Sequence, residues 1–298
     1  MIILWILLIL LLLFLLFSLI TFFVVEHKSQ RVIDSLKPNH HLYQDSEKFL
    51  ASDLEERSIR TQDGLKLYAW YLPAEVQTEK TVIVADGYHS IRARFAAYGW
   101  LFHQLGYNVL IPAYRASAEA AGHFIGFGWL DRDDYLRWMN QLIEQDSSVK
   151  IAMFGVSMGA ASAMMVSGEP LPEQVKCFIA DCGYDNVWNE IAFKAQHDFH
   201  LPAFPLVHLL SFWSKIFAGY DYKEASAVKQ LEKNTRPFLF IHGEEDVFVP
   251  TEMVHRNFAA TSAQKELLLI EDAGHAIAYE TAPEIYREKV KDFLKKYL

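Results

Sequence analysis

The chain begins with an unbroken apolar run. From Met1 to Val25 the only polar side chains are Ser18 and Thr21. As a helix rising 1.5 Å per residue it would be about 37 Å long. That exceeds the roughly 30 Å hydrocarbon core of a bilayer, so the run predicts a membrane-spanning helix. A cleavable leader is the rival reading. Its apolar part normally covers about 7–15 residues and ends in small residues, whereas this run is longer and closes on Phe22-Phe23-Val24-Val25-Glu26. An uncleaved, single-pass anchor over residues 1–25 is therefore expected, placing the protein at the cell membrane. Lys28, Arg31 and Lys37 follow the run, and no Lys or Arg precedes it. The positive-inside rule then favours a cytoplasmic C-terminal domain, by a charge difference too small to decide the side. Read as a separate unit, the anchor should be removable with activity retained.

Past the anchor, residues 26–55 are polar and mixed, with Pro38 and His40-His41, and read as a linker and capping segment. The alternation Ser58 to Gln62, the Asp63-Gly64 step and the stretch Leu65 to Tyr71 predict a hairpin. Short apolar strands are then expected at Thr81–Ala85, Asn108–Ala113, Val149–Phe154, Cys177–Asp181, Phe238–Ile241 and Glu266–Ile270. Helical patterns lie between and after them: Ile91–Leu105 capped by Gly106, Trp129–Glu144, Ala160–Val166, Glu252–Ala260 and Pro283–Tyr297. Thr281 and Glu284 have the spacing of a capping box for the last of these. Strands alternating with helices predict an α/β domain over residues 56–298, its central sheet mostly parallel and flanked by helices.

One stretch breaks the alternation. Residues 184–222 carry ten aromatics in 39 positions, against 14% for the chain. It reads as a helical lid, with Trp188, Phe193, Phe199, Phe204, Phe212, Trp213 and Phe217 as candidate wall residues. Two to four of them should face a substrate, with Trp188, Phe193 and Phe212 taken as its binding residues.

Composition excludes more than it assigns. The formal charge is −9 with no basic run, and nucleic-acid binding needs a clustered positive face. Cys177 and Cys182, five apart in one predicted strand, should lie about 17 Å apart on opposite faces, too far to bridge. His197 and His200 lack the accompanying Glu of a metal motif. His242, His103 and His123 read as structural or surface groups. No cofactor and no metal are expected.

The chemistry is carried by Gly155-Val156-Ser157-Met158-Gly159, set between the strand at Val149–Phe154 and the small-residue helix after it. Such a strand–turn–helix holds a serine in a strained conformation above the sheet. Alone the pattern is common: three fixed residues at about 7% usage match by chance in roughly one such chain in ten. Two downstream loops strengthen it. His242-Gly243-Glu244-Glu245-Asp246-Val247-Phe248-Val249-Pro250 follows one strand, and Glu271-Asp272-Ala273-Gly274-His275-Ala276 follows another. In an open parallel sheet such loops gather at the edge where the serine turn lies. A serine needs an imidazole to take its proton and a carboxylate to orient that imidazole.

With these segments, and with Asp86-Gly87-Tyr88, Gly126 to Asp131 and Val249 to Met253, the chain from about Glu56 onward resembles the α/β-hydrolase superfamily. More closely it is similar to membrane-anchored bacterial members related to the prolyl-oligopeptidase-like and acyl-hydrolase branches. The resemblance implies an α/β-hydrolase fold, with Ser157 as nucleophile, Asp246 as orienting acid and His275 as general base. It selects Asp246 over Glu244, Glu245 and Asp272. It also implies an oxyanion hole from the backbone N–H groups of Met158 and Tyr88. Two departures stand out: Asp86-Gly87 replaces the usual His-Gly, and Ala113-Tyr114-Arg115-Ala116 replaces the usual Arg-Gly-His-Gly region. The expected reaction is hydrolysis of small apolar esters through an acyl-enzyme. Cleavage of peptide-like or acylaminoacyl substrates, and a non-catalytic binding role, are the alternatives.

Overall fold

The computed structural model describes residues 1–28 and 36–298. Residues 29–35 of the expected linker, Arg31 among them, lie outside the described residues. The chain opens with helix α1 (Ile2–Glu26) and the short α2 (Tyr43–Leu50). The hairpin β1 (Glu55–Arg60) and β2 (Lys66–Leu72) follows, then β3 (Lys80–Ala85), α3 (Ala96–Gln104) and β4 (Asn108–Pro112). Next come α4 (Asp131–Gln145), β5 (Lys150–Val156), α5 (Met158–Ser167) and β6 (Val175–Asp181). Three helices intervene, α6 (Val187–His197), α7 (Ala203–Phe217) and α8 (Ala227–Leu231). The chain ends with β7 (Phe238–Gly243), α9 (Glu252–Ala260), β8 (Lys265–Ile270), α10 (Ala278–Thr281) and α11 (Pro283–Tyr297).

The strands form one sheet in the order β1-β2-β4-β3-β5-β6-β7-β8. The expected hairpin sits at one edge, and β2 is antiparallel to β4. Every other pairing is parallel. Parallel strands are covered on both faces and so read as continuous apolar runs. In β3, Val82 and Val84 enter the layer shared with α2, α3, α10 and α11. Ile83 and Ala85 enter the opposite layer, with α4 to α9.

Local departures from the sequence reading have local causes. Ile91 precedes a 3₁₀ turn at Arg92–Phe95, and α3 starts only at Ala96. Cys182 lies just past β6 with φ +50°. That turn brings it into the same layer as Cys177, not the opposite one; both thiols are free. Thr281 does not cap α11. It closes α10, donating its hydroxyl to the Ile277 carbonyl at 3.0 Å, while Ala282 occupies the cap position.

The larger correction concerns α1. Its first half stands clear of the domain, but Ser18, Phe22 and Glu26 are buried on one face at four-residue spacing. Phe22 is fully enclosed within the α4–α9 layer, its ring 5.6 Å from that of Phe124 and 5.7 Å from that of Phe217. Trp213 Nε1 donates to Ser18 Oγ at 3.0 Å. Ser214 Oγ and Tyr220 Oη donate to Glu26 Oε2 at 3.3 and 3.2 Å. The Ile125 amide donates to the Glu26 carbonyl at 2.7 Å. The end of α1 is thus part of the core. The expectation that residues 1–25 can be removed without loss runs against this packing, because truncation would strip the core aromatic Phe22, the Ser18 acceptor of Trp213 and the Val25 acceptor of Tyr88.

Truncating Phe22 to Ala should cost about 3 kcal/mol or more, the usual range for a buried aromatic. Thermal unfolding of the detergent-solubilised full chain measures this, and an unchanged Tm would show that the helix end does not belong to the core.

Candidate active site

Ser157 lies between β5 and α5 with φ 57° and ψ −117°, a region costly for a non-glycine residue. Its neighbours show why the turn needs glycines. A Cβ on Gly155 would lie 2.1 Å from the Gly159 carbonyl oxygen, and one on Gly159 would lie 2.2 Å from that of Ala85. The elbow is therefore pressed against β3, with its hydroxyl at the carboxyl edge of the sheet.

The loops after β7 and β8 meet it there. His275 Nε2 is 2.8 Å from Ser157 Oγ, and His275 Nδ1 is 2.7 Å from Asp246 Oδ2. Asp246 Oδ1 accepts from the amides of Phe248 and Val249 at 2.9 and 2.8 Å. A second histidine joins it: His242 Nε2 lies 3.3 Å from Asp246 Oδ2 and 2.9 Å from the Val249 carbonyl oxygen. Burial would raise the Asp246 pKa, but the hydrogen bonds from His242 and His275, the His275 charge and the Val249 amide hold it well below the usual carboxylate range. Asp246 thus stays ionised, while Phe248 stacks on the His275 ring with centroids 4.6 Å apart. Sequence reasoning had set His242 aside; its position at the end of a strand, four residues before Asp246, was the available signal.

Tyr88 and Met158, the expected oxyanion donors, flank Ser157 from the β3 loop and the start of α5. Among the described residues neither amide has a hydrogen-bond acceptor. Tyr88 Oη donates to the Val25 carbonyl of α1 at 2.6 Å, so the loop is tied to the N-terminal helix. The unusual Asp86 is buried with neither carboxylate oxygen partnered. Burial, then the charges of Glu119 and Asp131, raise its pKa well above normal. Arg92, a possible partner, is taken by Glu119 at 3.2 Å. Arg115, in the other departing loop, is bound to Asp134 and Asp63 at 2.7 and 3.0 Å.

A cavity of about 470 Å³ opens beside Ser157. Its walls come from α1 (Phe17, Ile20, Thr21, Val24 and Val25), from α6 and α7, and from the loops carrying Tyr88, Phe127 and Phe248. Of the seven predicted aromatics only Phe199 lines it. Trp188, Phe193 and Phe212 do not. The reason is helical phase: α6 turns Ile191, Lys194 and Ala195 inward and α7 turns Leu206 and Leu210 inward. Trp188 packs edge-on against His208, Phe193 stacks on His197, and Phe212 packs on Trp213. Five wall positions on α1 went unseen because an apolar anchor gave no sign of a second role. Another cavity, of about 540 Å³, lies at the far end of the sheet around Tyr71, Thr78 and Asn108, remote from these groups.

Two polar residues interrupt the wall. Glu190 has an unpartnered buried Oε2. Burial pushes its pKa to about 8, with Lys194 opposing and Asp246 adding to the rise. Lys194 pairs with Asp198 and lies 3.6 Å from the centroid of the Phe248 ring. One group of possible metal donors exists among the described residues, Cys182, Asp246 and His275. His275 already uses both ring nitrogens, on Asp246 and Ser157, and burial keeps the Cys182 thiol protonated.

The eight-stranded, mostly parallel sheet with a serine at its strand-to-helix elbow makes the protein an α/β hydrolase. Its sequence matches the prolyl oligopeptidase family over residues 94–298, and the chain belongs to that family of serine hydrolases. An uncharacterized protein of Bacillus subtilis is 29% identical over 226 residues, 75% of this chain and 74% of the relative. Among solved structures, an esterase of Pyrococcus furiosus superposes with a TM-score of 0.68 at 24% identity, covering 89% of this chain and 97% of its own. The acylaminoacyl peptidase of Pyrococcus horikoshii superposes with a TM-score of 0.60 at 16% identity, over 84% of this chain and 42% of its own. At these identities the likeness is one of fold.

The raised Glu190 pKa has a stability consequence. Between the unfolded value of 4.5 and about 8 the folded chain holds a proton that the unfolded chain has lost, so stability must fall as pH rises through this window. Glu190→Gln removes that slope. Its Tm relative to wild type should be more favourable at about pH 9 than at about pH 5; a difference that does not change with pH would show that Glu190 is not held protonated.

Proposed function

We propose that the protein is a membrane-anchored serine hydrolase that cleaves carboxylic esters with apolar acyl or aryl groups. The observation that carries this reading is the Ser157 hydroxyl, hydrogen-bonded to His275 and facing a cavity with almost wholly apolar walls. In the first step Ser157 Oγ attacks the ester carbonyl while His275 Nε2 takes its proton. Asp246, ionised and bonded to Nδ1, holds the tautomer and stabilises the imidazolium. The negative charge on the former carbonyl oxygen is met by the amides of Met158 and Tyr88. His275 then protonates the leaving alcohol, leaving an acyl-enzyme. Water, deprotonated by the same nitrogen, releases the acid and restores the serine. The groups that act are all the chain's own.

Residues 1–25 serve as the anchor and residues 184–222 as the lid in this reading. An anchor is favoured over a removable leader because Phe22 and Ser18 are buried in the domain. Family membership favours peptide or acylaminoacyl cleavage as the second reading. The cavity favours esters, since its one buried acid, Glu190, is neutral near pH 7 and would not hold a peptide ammonium group.

Ser157→Ala should abolish labelling by a fluorophosphonate probe, and His275→Ala should lower ester turnover by about 10³-fold or more. Wild type left unlabelled where a control hydrolase reacts would favour a binding protein, and a loss below about tenfold would mean that the base is another group. Chromogenic esters assayed beside aminoacyl anilides separate the two hydrolase readings; anilides turned over faster than esters would reverse their order.

A further inference from the structure

Helix α1 is too closely engaged with the lid to be only a tether. Its positions Phe17, Ile20, Thr21, Val24 and Val25 recur at helical spacing and form one wall of the cavity that ends at Ser157. The next stripe, Ser18, Phe22 and Glu26, is buried in the domain. The wall therefore runs up α1 from Val25, whose carbonyl binds Tyr88, to Phe17. From Phe17 to Val25 the helix rises about 12 Å, eight steps of 1.5 Å.

The depth of this wall follows from the length of the helix. Ile2 to Leu13 stands clear of the domain, which is about 18 Å of helix. A bilayer core is roughly 30 Å thick. The remaining ~12 Å must come from the segment after Leu13, which brings the helix to about Thr21. That segment packs against α7 and lines the cavity. The lid beside it is dressed for the same medium: Phe204, Phe212, Ile216 and Phe217 of α7 are 72%, 52%, 54% and 43% exposed, and Phe199 is 68% exposed. Such an exposed apolar surface, continuous with a spanning helix, fits hydrocarbon rather than water. The polar side chains of this stretch of α1 are satisfied within the protein: Thr21 Oγ1 donates to the Phe17 carbonyl, and Ser18 Oγ donates to that of Leu15 while accepting from Trp213.

We infer that the cavity opens sideways into the bilayer between α1 and the lid, and that the substrate is a long-chain acyl ester drawn from the membrane, its chain lying along Phe17–Val25. This rests on the serine-hydrolase reading and names its substrate class. An extended chain advances about 1.2 Å per bond, a third of a residue's span. The 12 Å wall therefore accommodates about ten bonds of acyl chain beyond the carbonyl, and the rest of the chain stays in lipid. Hydrolysis adds water across the ester bond: the fatty acid is released back along α1, and the alcohol departs with the proton from His275.

The test uses the full chain in vesicles of a diether phosphatidylcholine, which contains no ester. p-Nitrophenyl palmitate partitions into the bilayer and p-nitrophenyl acetate remains in water. The palmitate ester is loaded either into the vesicles that carry the protein or into separate vesicles mixed with them, and initial rates are compared. Palmitate hydrolysis should be fast only when ester and protein share a bilayer, while acetate hydrolysis is the same in both mixtures. Equal initial palmitate rates from the two loadings would mean entry from water and would overturn the inference. Thr21→Trp, which fills the wall, should lower the palmitate-to-acetate ratio of kcat/KM by about tenfold, as expected for a blocked apolar subsite. Ile20→Trp serves if Thr21→Trp fails to fold, with fluorophosphonate labelling of Ser157 as the check on folding. A ratio unchanged in a labelled variant would also overturn the inference. Absence of turnover on both esters by the wild type is a different result, one that sinks the ester-hydrolase reading on which the inference rests.

Discussion

A methyl group on Gly159 would fall 2.2 Å from the Ala85 carbonyl oxygen, and on that close approach the geometry of the site depends. Because β3 and the start of α5 touch backbone to backbone, the turn between β5 and α5 is sharp enough to hold Ser157 at positive φ. Its hydroxyl then projects beyond the sheet edge. The loops after β7 and β8 need only follow parallel strands of matching length to bring Asp246 and His275 within hydrogen-bond range of it. The same approach sets the β3 loop, with Tyr88, beside the serine. A strained residue persists when its surroundings over-determine it, and here both neighbouring glycines and a fully buried parallel sheet do so.

Burial treats the acids of the site differently according to what surrounds each. Asp246 is buried yet ionised, because two histidines and two amides offer it hydrogen bonds. Asp86 is buried with neither carboxylate oxygen partnered, and burial raises its pKa well above normal. Burial pushes the Glu190 pKa to about 8, in a mostly apolar wall where Lys194 is the other charged group. In the proposed reaction, one ionised carboxylate behind the histidine is the charge that would stabilise its imidazolium form.

Helix α1 joins two parts of the molecule that are usually discussed apart. Its first half is apolar on all sides and exposed; its last turns carry Phe22 into the core and Glu26 into a cluster with Ser214 and Tyr220. Between them lies the cavity wall. The hydrogen bond from Tyr88 to Val25 couples the same helix to the loop proposed to bind the oxyanion. The position of the helix and the shape of the site therefore cannot vary independently.

Much of this was legible from residue order. The strand and helix runs, the hairpin at Asp63-Gly64, the glycine-flanked serine and the loops bearing Asp246 and His275 are set by local periodicity and by turn chemistry, which act over a few residues. The α/β class followed from those local signals, whereas the choice of Asp246 among four nearby acids came from the resemblance to the α/β-hydrolase superfamily. What lay beyond reach depends on phase and packing between distant segments. Which lid residues face the cavity is decided by the rotation of α6 and α7 against the sheet, and so Ile191 and Leu206 line it where Trp188, Phe193 and Phe212 were expected. Cys182 changed sides through a single positive φ. His242 joined Asp246, and the Asp86 pKa was pushed up, only because folding buried them together with, or apart from, their partners. The hydrophobicity of the first 25 residues announced a helix long enough to cross a membrane; that one stripe of it closes the cavity beside Ser157 was decided by tertiary contact alone, because uniform apolarity carries no record of which face meets a partner.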